Sequence, residues 1–415
     1  MTQPSPSIST AEMTASDFPG GITGPKGFTA SGIHCGIKRS KKDLALVYSE
    51  VPAAAAAVFT KNTVIAAPLL VDKTQLMGSP RAQAILINSG NANACTGERG
   101  LQDAWTMVHA TAKELAVDPA HVLVASTGVI GQYLPMEKIL AGIGDVSSSL
   151  STENHTLAAE AIMTTDTFSK EYAVVIELGG RTVTLGGMAK GSGMIAPNMA
   201  TMLGFVSTDA RISPGLLQRC LSGSVNRSFN RISVDGDTST NDMVVAFANG
   251  EAGNRALQDP HDPDVVTFSL ALDRLLIRLA KMIVVDGEGA TKFIEIRVRG
   301  AVTEESAVAA ARAVANSNLV KTAIHGEDAN WGRILSAVGN SGIEFRPEET
   351  EILFDEVPIL RKNYSIDFSE TAAKAVLEKK ELVITIDLHM GPSAASFWTC
   401  DLSKEYVSIN ANYRT

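Results

Sequence analysis

The sequence predicts an α/β protein, built as a layered sandwich of mixed sheets and helices with two lobes. Strand-like and helix-like patterns alternate along the chain from residue 43 to its end, as expected for sheets covered by helices. The stretches at 171–180 and 181–191 form a predicted hairpin that turns at Gly179 and Gly180. A hairpin pairs its strands antiparallel, which argues against a doubly wound parallel sheet. The 415 residues exceed one typical domain, so two lobes are expected.

Apolar runs and helical spacings predict the elements in chain order. An Ala- and Val-rich stretch at 43–60 precedes a buried strand at 82–90, which enters the turn-forming loop SGNANACTGERG. The remaining predicted elements are helix 101–117, strand 121–125, helix 155–163, strand 201–210, helix 214–230, strand 242–250, helix 264–285, helices 306–324 and 331–339, and strands 381–391 and 395–409.

The composition favours a soluble protein that handles small molecules. Hydrophobic residues make up 45% of the chain and charged residues 20%, an ordinary globular balance. The net charge of −9 argues against a nucleic-acid partner, because phosphate binding needs a basic face. A small polar metabolite fits this balance better.

The cysteines and the N-terminus indicate a cytoplasmic protein. The four cysteines are scattered and form no CxxC pair, which favours reduced thiols over disulfides or zinc. No apolar run reaches the roughly 20 residues of a membrane helix. The first 18 residues lack the basic start and apolar run of a secretion signal, and we interpret 1–18 as a disordered tail.

Several polar loops have both a structural and a functional interpretation. DGDTSTND at 235–242 carries three aspartates but lacks EF-hand spacing, which favours a structural turn, and no metal site is predicted. HGEDANWGRI at 325–334 is either a functional cluster or a helix start capped by Asp328 or Asn330, and the sequence leaves both open. Cys95 lacks a histidine in any known signature, so a buried loop cysteine is favoured over a nucleophile.

Glycine-flanked turns supply further candidates. GSG at 191–193 resembles a phosphate cradle only loosely, since no GxxxxGK[ST] or GxGxxG motif is present. STGVIG at 126–131 follows a predicted strand, and backbone N–H groups at such a turn bind an oxyanion or a phosphate. Glu288 lies between two glycines after the long helix, where its carboxylate is a candidate partner for an amine.

KGSGMIAPNMATML, at 190–203, contains a candidate nucleophile. A threonine hydroxyl is weak at its ordinary pKa and needs a base. If the chain breaks between Ala200 and Thr201 through an N–O acyl shift, Thr201 gains a free α-amine with a pKa of about 7.7–8.0. That amine then serves as the base for the hydroxyl of the same residue. The residues alone do not select this threonine, which also fits the start of a strand.

Together with STGVIG, IMTTDT, VDGEGATK, HGEDANWGRI and INANYRT, this stretch resembles the ornithine acetyltransferase family, also called bifunctional glutamate N-acetyltransferases. The motifs run in order from about residue 19 to Thr415. The resemblance implies the self-processing fold of that family, with self-cleavage into an α chain at 19–200 and a β chain at 201–415. It also implies acetyl transfer from N2-acetyl-L-ornithine to L-glutamate in arginine biosynthesis, through an acetyl ester on Thr201.

The resemblance also assigns site residues and partners. It places the oxyanion hole at Thr127 and Gly128, and substrate binding at Thr164, Lys190, Thr201, Glu288, Asn410 and Thr415. Thr165 is adjacent, so the choice between Thr164 and Thr165 stays open. No resident cofactor is expected, although some members accept acetyl-CoA as a second acetyl donor. Two α and two β chains are expected to associate.

Charge supports these assignments, because an amino-acid substrate carries both a carboxylate and an ammonium. Lys190 is suited to the carboxylate and Glu288 to the ammonium. Two other functions remain open from the residues. One is a self-processing aminopeptidase or amidase that hands the acyl group to water. The other is a ligand-binding protein that never cleaves itself.

Overall fold

The computed structural model describes residues 15–196 and 202–412, which form two compact units. Unit 1 contains the described residues of 15–191, 202–230 and 238–280. Unit 2 contains those of 192–196, 231–237 and 281–412. Residues on both sides of the predicted cleavage position therefore contribute to unit 1. The position itself, Ala200–Thr201, lies outside the described residues.

The strands and helices are numbered in chain order. The strands are β1 Ser16–Asp17, β2 Phe28–Ile33, β3 Leu44–Phe59, β4 Arg81–Asn91, β5 Val122–Val129, β6 Lys170–Leu178, β7 Arg181–Lys190, β8 Leu203–Thr208, β9 Ile232–Ser233, β10 Met243–Ala248, β11 Phe293–Ala301, β12 Glu351–Phe354, β13 Val357–Leu360, β14 Glu381–Asp387 and β15 Ser393–Cys400. The α-helices are α1 Ala67–Gly78, α2 Gly97–Leu115, α3 Met136–Ser148, α4 His155–Ala161, α5 Pro214–Arg227, α6 Pro263–Val285, α7 Glu304–Ala315, α8 Asn318–His325, α9 Trp331–Gly339, α10 Glu370–Leu377 and α11 Lys404–Ala411.

Unit 1 is built on a mixed sheet, which the described residues form from nine strands in the order β1-β6-β7-β8-β10-β3-β4-β5, with β2 paired to β3. The pairs β8–β10 and β4–β5 are parallel, and the other pairs are antiparallel. The predicted hairpin is confirmed as β6 and β7, whose turn places Gly179 at φ 55° and Gly180 at φ 75°. Two left-handed residues in a row suit a two-residue hairpin loop.

Around β3, β4 and β5 this sheet is buried on both faces, and side chains of these strands alternate between two apolar layers. Leu44 and Leu46 of β3 pack with α2 and α3 on one side, while Ala45 and Val47 pack with α4 on the other. A strand covered on both faces is apolar at successive positions, which is why 82–90 has no polar alternation. The predicted layered sandwich of mixed sheets and helices is therefore confirmed.

Unit 2 contains a second mixed sheet, six strands among the described residues, in the order β13-β12-β14-β11-β15-β9. Strand β11 pairs parallel with β14 and antiparallel with β15. Its core side chains Ile294, Ile296 and Val298 pack against residues of α7, α8, α9 and α10. No helix within the described ranges is both long and apolar enough to cross a membrane.

Four sequence predictions need correction. The strand predicted at 121–125 continues to Val129, so the STGV residues lie within β5. The helix predicted at 306–324 is two helices, because the Ser317 side chain caps α8 by accepting from Val320 N. The segment 395–409 begins as a strand but becomes helix α11 at Lys404, after the Ser403 cap. In the predicted tail, Ser16 and Asp17 pair with β6, and residues 1–14 lie outside the described residues.

Candidate active site

An irregular end of β5 presents the predicted oxyanion residues. Strand β5 pairs with β4 in parallel, Gly128 lies opposite Gly90, and the register shifts at Asn91. Gly128 has φ 134°, and a Cβ there would lie 2.3 Å from the carbonyl carbon of Gly90. Only glycine fits this position, and such bulges re-aim the neighbouring side chains. Thr127 is half-buried at this bulge.

Three of the predicted site residues meet around the ammonium of Lys190. Lys190 ends β7, and its Nζ donates to Thr164 Oγ1 at 2.8 Å and to Thr127 Oγ1 at 3.5 Å. Thr164 lies in the turn between α4 and β6, so the three side chains come from separate parts of unit 1. Lys190 is only 8% exposed. A buried ammonium beside two hydroxyls is suited to bind a carboxylate.

Asp166 is a buried member of this site that the sequence analysis did not assign. Its Oδ1 accepts from Lys170 Nζ at 2.8 Å and from Gly191 N at 2.7 Å. Its Oδ2 accepts from Thr164 N at 2.9 Å and lies 4.0 Å from Lys190 Nζ. Burial alone would raise the pKa of the Asp166 carboxyl, but Lys190 and Lys170 hold that pKa well below its usual range. Asp166 is therefore a carboxylate at neutral pH.

Lys38 is a second cation near the Lys190 site that the sequence analysis missed. Its Nζ donates to the carbonyl oxygens of Met163 at 2.6 Å and Lys42 at 2.8 Å. Its Cγ lies 3.1 Å from the position that a Cβ of Gly90 would occupy. Burial lowers the pKa of Lys38 to about 8, against the attraction of the Asp43 carboxylate. No local motif marks this lysine, and its contact with Met163 joins segments 125 residues apart.

In unit 2, Glu288 and Asn410 are in direct contact, as two predicted substrate-binding residues should be. Asn410 Nδ2 donates to Glu288 Oε2 at 2.8 Å, and Glu288 is 8% exposed. The Glu288 backbone N–H donates to Ser192 O at 2.9 Å. A Cβ at Gly193 would lie 2.3 Å from Glu288 Oε2, so the second glycine of KGSG makes room for the carboxylate. The C-terminal helix α11 thus reaches Glu288.

The aspartate loop at 235–242 begins with a residue that binds backbone. Asp235 accepts from Met194 N at 2.6 Å and from Ile195 N at 2.7 Å, which supports the structural interpretation of this loop. Tyr406 of α11 donates to the same carboxylate at 3.3 Å. In the part of the chain that the structure describes, no group of three or more His, Cys, Asp or Glu side chains could hold a metal ion.

The structure also shows the surroundings of two other candidates, the HGEDANWGRI loop and Cys95. In the HGEDANWGRI loop, Asn330 caps α9 by accepting from Arg333 N at 3.1 Å, and His325 contacts Asp401 at 2.7 Å. These contacts support the capped-helix interpretation of this loop. Cys95 is exposed, so the prediction of a buried loop cysteine was wrong. All four cysteines have free thiols.

Ala200, Thr201 and Thr415 lie outside the described residues. Their roles in cleavage, nucleophilic attack and substrate binding therefore stay predictions, as does the choice between Thr164 and Thr165 as the residue that contacts substrate.

Comparison with known proteins gives matches over nearly the whole chain. The model of the ArgJ family matches residues 29–415. The arginine biosynthesis bifunctional protein ArgJ of Symbiobacterium thermophilum is 52% identical over 399 residues, covering 95% of this chain and 99% of that protein. The protein of the same name from Geobacillus kaustophilus is 49% identical over 406 residues, 98% of each chain.

One solved structure that is similar in sequence is an ornithine acetyltransferase from Mycobacterium tuberculosis, described as complexed with ornithine. It is 42% identical over 46% of this chain and 100% of its own, with a TM-score of 0.41.

Proposed function

The chain belongs to the ArgJ family, and from that membership we propose that it transfers acetyl from N2-acetyl-L-ornithine to L-glutamate. The products are ornithine and N-acetylglutamate, and the reaction serves arginine biosynthesis. The observation that carries the proposal is the meeting of Thr127, Thr164 and Lys190 around one buried ammonium. These residues are far apart in sequence, and the family pattern assigns all three to one active site.

The proposed enzyme first prepares its own nucleophile. The Thr201 hydroxyl attacks the carbonyl carbon of Ala200, and the peptide nitrogen leaves as the α-amine of Thr201. Water then hydrolyses the ester, which releases an α chain ending at Ala200 and a β chain beginning at Thr201. The new α-amine is the base for the adjacent hydroxyl.

Acetyl transfer then proceeds in two balanced halves. The Thr201 hydroxyl attacks the acetyl carbon of acetylornithine while its proton passes to the α-amine. The C–N bond breaks, and the ornithine nitrogen takes that proton as it leaves. The α-amine of glutamate next attacks the acetyl ester, the C–O bond breaks, and Thr201 regains its hydroxyl proton. No resident cofactor is required, because the threonine ester carries the acetyl group.

The site residues supply charge complementarity for both halves. Lys190 binds a substrate carboxylate, and Thr164 stands beside it. Thr127 and the Gly128 N–H stabilise the oxygen that becomes negative in each tetrahedral intermediate. Glu288 binds a substrate ammonium, and its contact with Asn410 fixes the orientation of the carboxylate.

The assembly and location follow the family pattern. We propose that two α and two β chains associate and that the enzyme works in the cytoplasm. The four free thiols suit a reducing compartment. Acetyl-CoA is proposed only as an additional acetyl donor.

A gel and an assay test the proposal together. The purified protein should give two chains, the second beginning TMLGF, while Thr201→Ala should stay intact at 43.8 kDa. Ornithine release from acetylornithine should depend on glutamate. Equally fast release without glutamate would indicate an amidase that transfers the acetyl group to water. A wild-type protein that stays uncleaved would contradict the processing step.

A further inference from the structure

The Asp166 carboxylate contacts both the backbone and the side chains that form the Lys190 site. The described contacts give its two carboxylate oxygens three hydrogen bonds, and Lys190 lies at ion-pair distance. Two of the donors are backbone N–H groups of Thr164 and Gly191. Thr164 is itself a proposed substrate residue, and Gly191 follows Lys190 directly. The carboxylate thus fixes the backbone at Thr164 and at the residue that follows Lys190, and the side chains of Thr164 and Lys190 meet at 2.8 Å.

The local charges show why this group must be ionised. The side chains of Asp166 and Lys170 are 0% exposed, and that of Lys190 is 10% exposed. Buried charges are tolerated only when they are paired and hydrogen-bonded. Lys170 is the nearer ammonium, at 2.8 Å against 4.0 Å for Lys190. Lys170 therefore holds the carboxylate, and the carboxylate supports the Lys190 ammonium from a longer distance.

We propose that Asp166 is a positioning residue, which holds Thr164 and Lys190 in the arrangement that binds the substrate carboxylate. The inference deepens the proposed acetyl transfer and rests on it for the identity of the substrate. Asp166 acts through Lys190 and Thr164 and touches no substrate atom in this proposal.

Asp166→Asn is the informative substitution, because it keeps the shape and removes the charge. In the wild type, each oxygen of Asp166 accepts at least one hydrogen bond from an N–H group. The NH₂ group of asparagine replaces one of these oxygens and cannot accept that hydrogen bond. At least one of the anchors at Thr164, Gly191 or Lys170 is then lost. The Lys190 ammonium also loses the negative charge of Asp166, 4.0 Å away, and loss of an opposite charge favours release of its proton at a lower pH than in the wild type.

The expected effect is a fall in kcat/KM of about 10–100-fold, the usual consequence of losing hydrogen bonds to a charged group. The alkaline limb of the kcat/KM profile should also move to lower pH. Other charged groups near this site are Lys170, Lys38 and Asp43. Lys38 has a pKa of about 8 and could itself produce such a limb. The displacement should therefore be measured again in a Lys38→Met background, where it should persist.

A double variant distinguishes two possible roles of Asp166, which are positioning of Thr164 and Lys190 or simple neutralisation of the Lys170 charge. Asp166→Asn alone removes the carboxylate that lies 2.8 Å from the buried Lys170 ammonium, and this loss lowers the melting temperature. Asp166→Asn with Lys170→Met removes both charges and should recover the melting temperature. If Asp166 only neutralises Lys170, this double variant regains the wild-type kcat/KM and pH profile, and the proposal is overturned.

The proposal instead expects the double variant to remain about 10–100-fold impaired, with the displaced alkaline limb. Should both neutral variants fail to fold, Asp166→Glu carries the test. It keeps the charge but lengthens the side chain, so it should fold with impaired kcat/KM, and wild-type kcat/KM in this variant would reject positioning. A wild-type enzyme without acetyl transfer would contradict the proposed function, whereas an unaffected variant of an active enzyme contradicts only the role of Asp166.

Discussion

Replacing Gly128 by alanine tests the geometry of the proposed oxyanion hole. The added Cβ would stand 2.3 Å from the backbone carbon of Gly90, and φ 134° is strained for any L-residue. Backbone cannot rotate away as a side chain can, so the strand end must move by roughly 1 Å to reach an ordinary contact. Misplacement of about 1 Å lowers the rate by about 10²-fold. We therefore expect kcat to fall by at least about 10²-fold.

Gly131→Ala is the matched control for this prediction. Gly131 lies in the same STGVIG segment with φ 80°, so alanine is strained there too, but no atom lies within 4 Å of the added Cβ. The backbone strain of about 1–2 kcal/mol should lower the melting temperature with little change in kcat. The assay is steady-state ornithine release, corrected for the fraction of cleaved chain on a denaturing gel. Equal kcat values for the two variants would refute the argument that the clash with Gly90 displaces the oxyanion hole.

Three further predictions concern single side chains. Thr127→Ala should lower kcat by about 10²–10³-fold with KM nearly unchanged, because an oxyanion donor acts mainly in the transition state; an effect confined to KM would assign Thr127 to substrate positioning. Glu288→Gln should weaken ornithine binding in calorimetry without lowering the melting temperature, since the ammonium loses its counter-charge; unchanged affinity would make Glu288 a turn residue. Asp72 is fully buried, and burial raises the pKa of its carboxyl well above the usual value. The stability that protonated Asp72 contributes is therefore fully present below about pH 4, the pKa of an aspartate in the unfolded chain. This contribution is lost as the pH rises through the raised pKa of the folded state. Asp72→Asn should therefore gain stability relative to the wild type between pH 4 and 8 in urea titrations, and a constant difference across that range would contradict the shift.

The fold was predictable where local pattern and burial agree. The hairpin at Gly179 and Gly180 has its own turn chemistry. The apolar face of 264–285 becomes helix α6, which buries Leu272, Leu275 and Leu279. Prediction failed where a single polar residue decides where a helix begins. Ser317 divides one predicted helix into two by capping α8, and Ser403 converts the end of a predicted strand into helix α11.

The site was predictable to the extent that its residues lie in recognisable motifs. Thr127, Thr164 and Lys190 were assigned by resemblance to the family, and the structure brings their side chains together. Asp166 stood inside one of those motifs without an assigned role, and Lys38 stood outside all of them. The Asp166 carboxylate accepts from Gly191 N, 25 residues along the chain, and the Lys38 ammonium donates to Met163 O, 125 residues along the chain. No local pattern encodes such contacts.

The central claim is that the acetyl group rests on Thr201 between the two substrates. Incubating the enzyme with acetylornithine alone and digesting the β chain should show one added acetyl mass on the peptide that begins TMLGF. The same mixture should exchange labelled ornithine into acetylornithine without glutamate, as a ping-pong relay requires. An unmodified peptide, with no exchange and with intersecting initial-rate lines, would contradict the account and indicate direct transfer in a ternary complex.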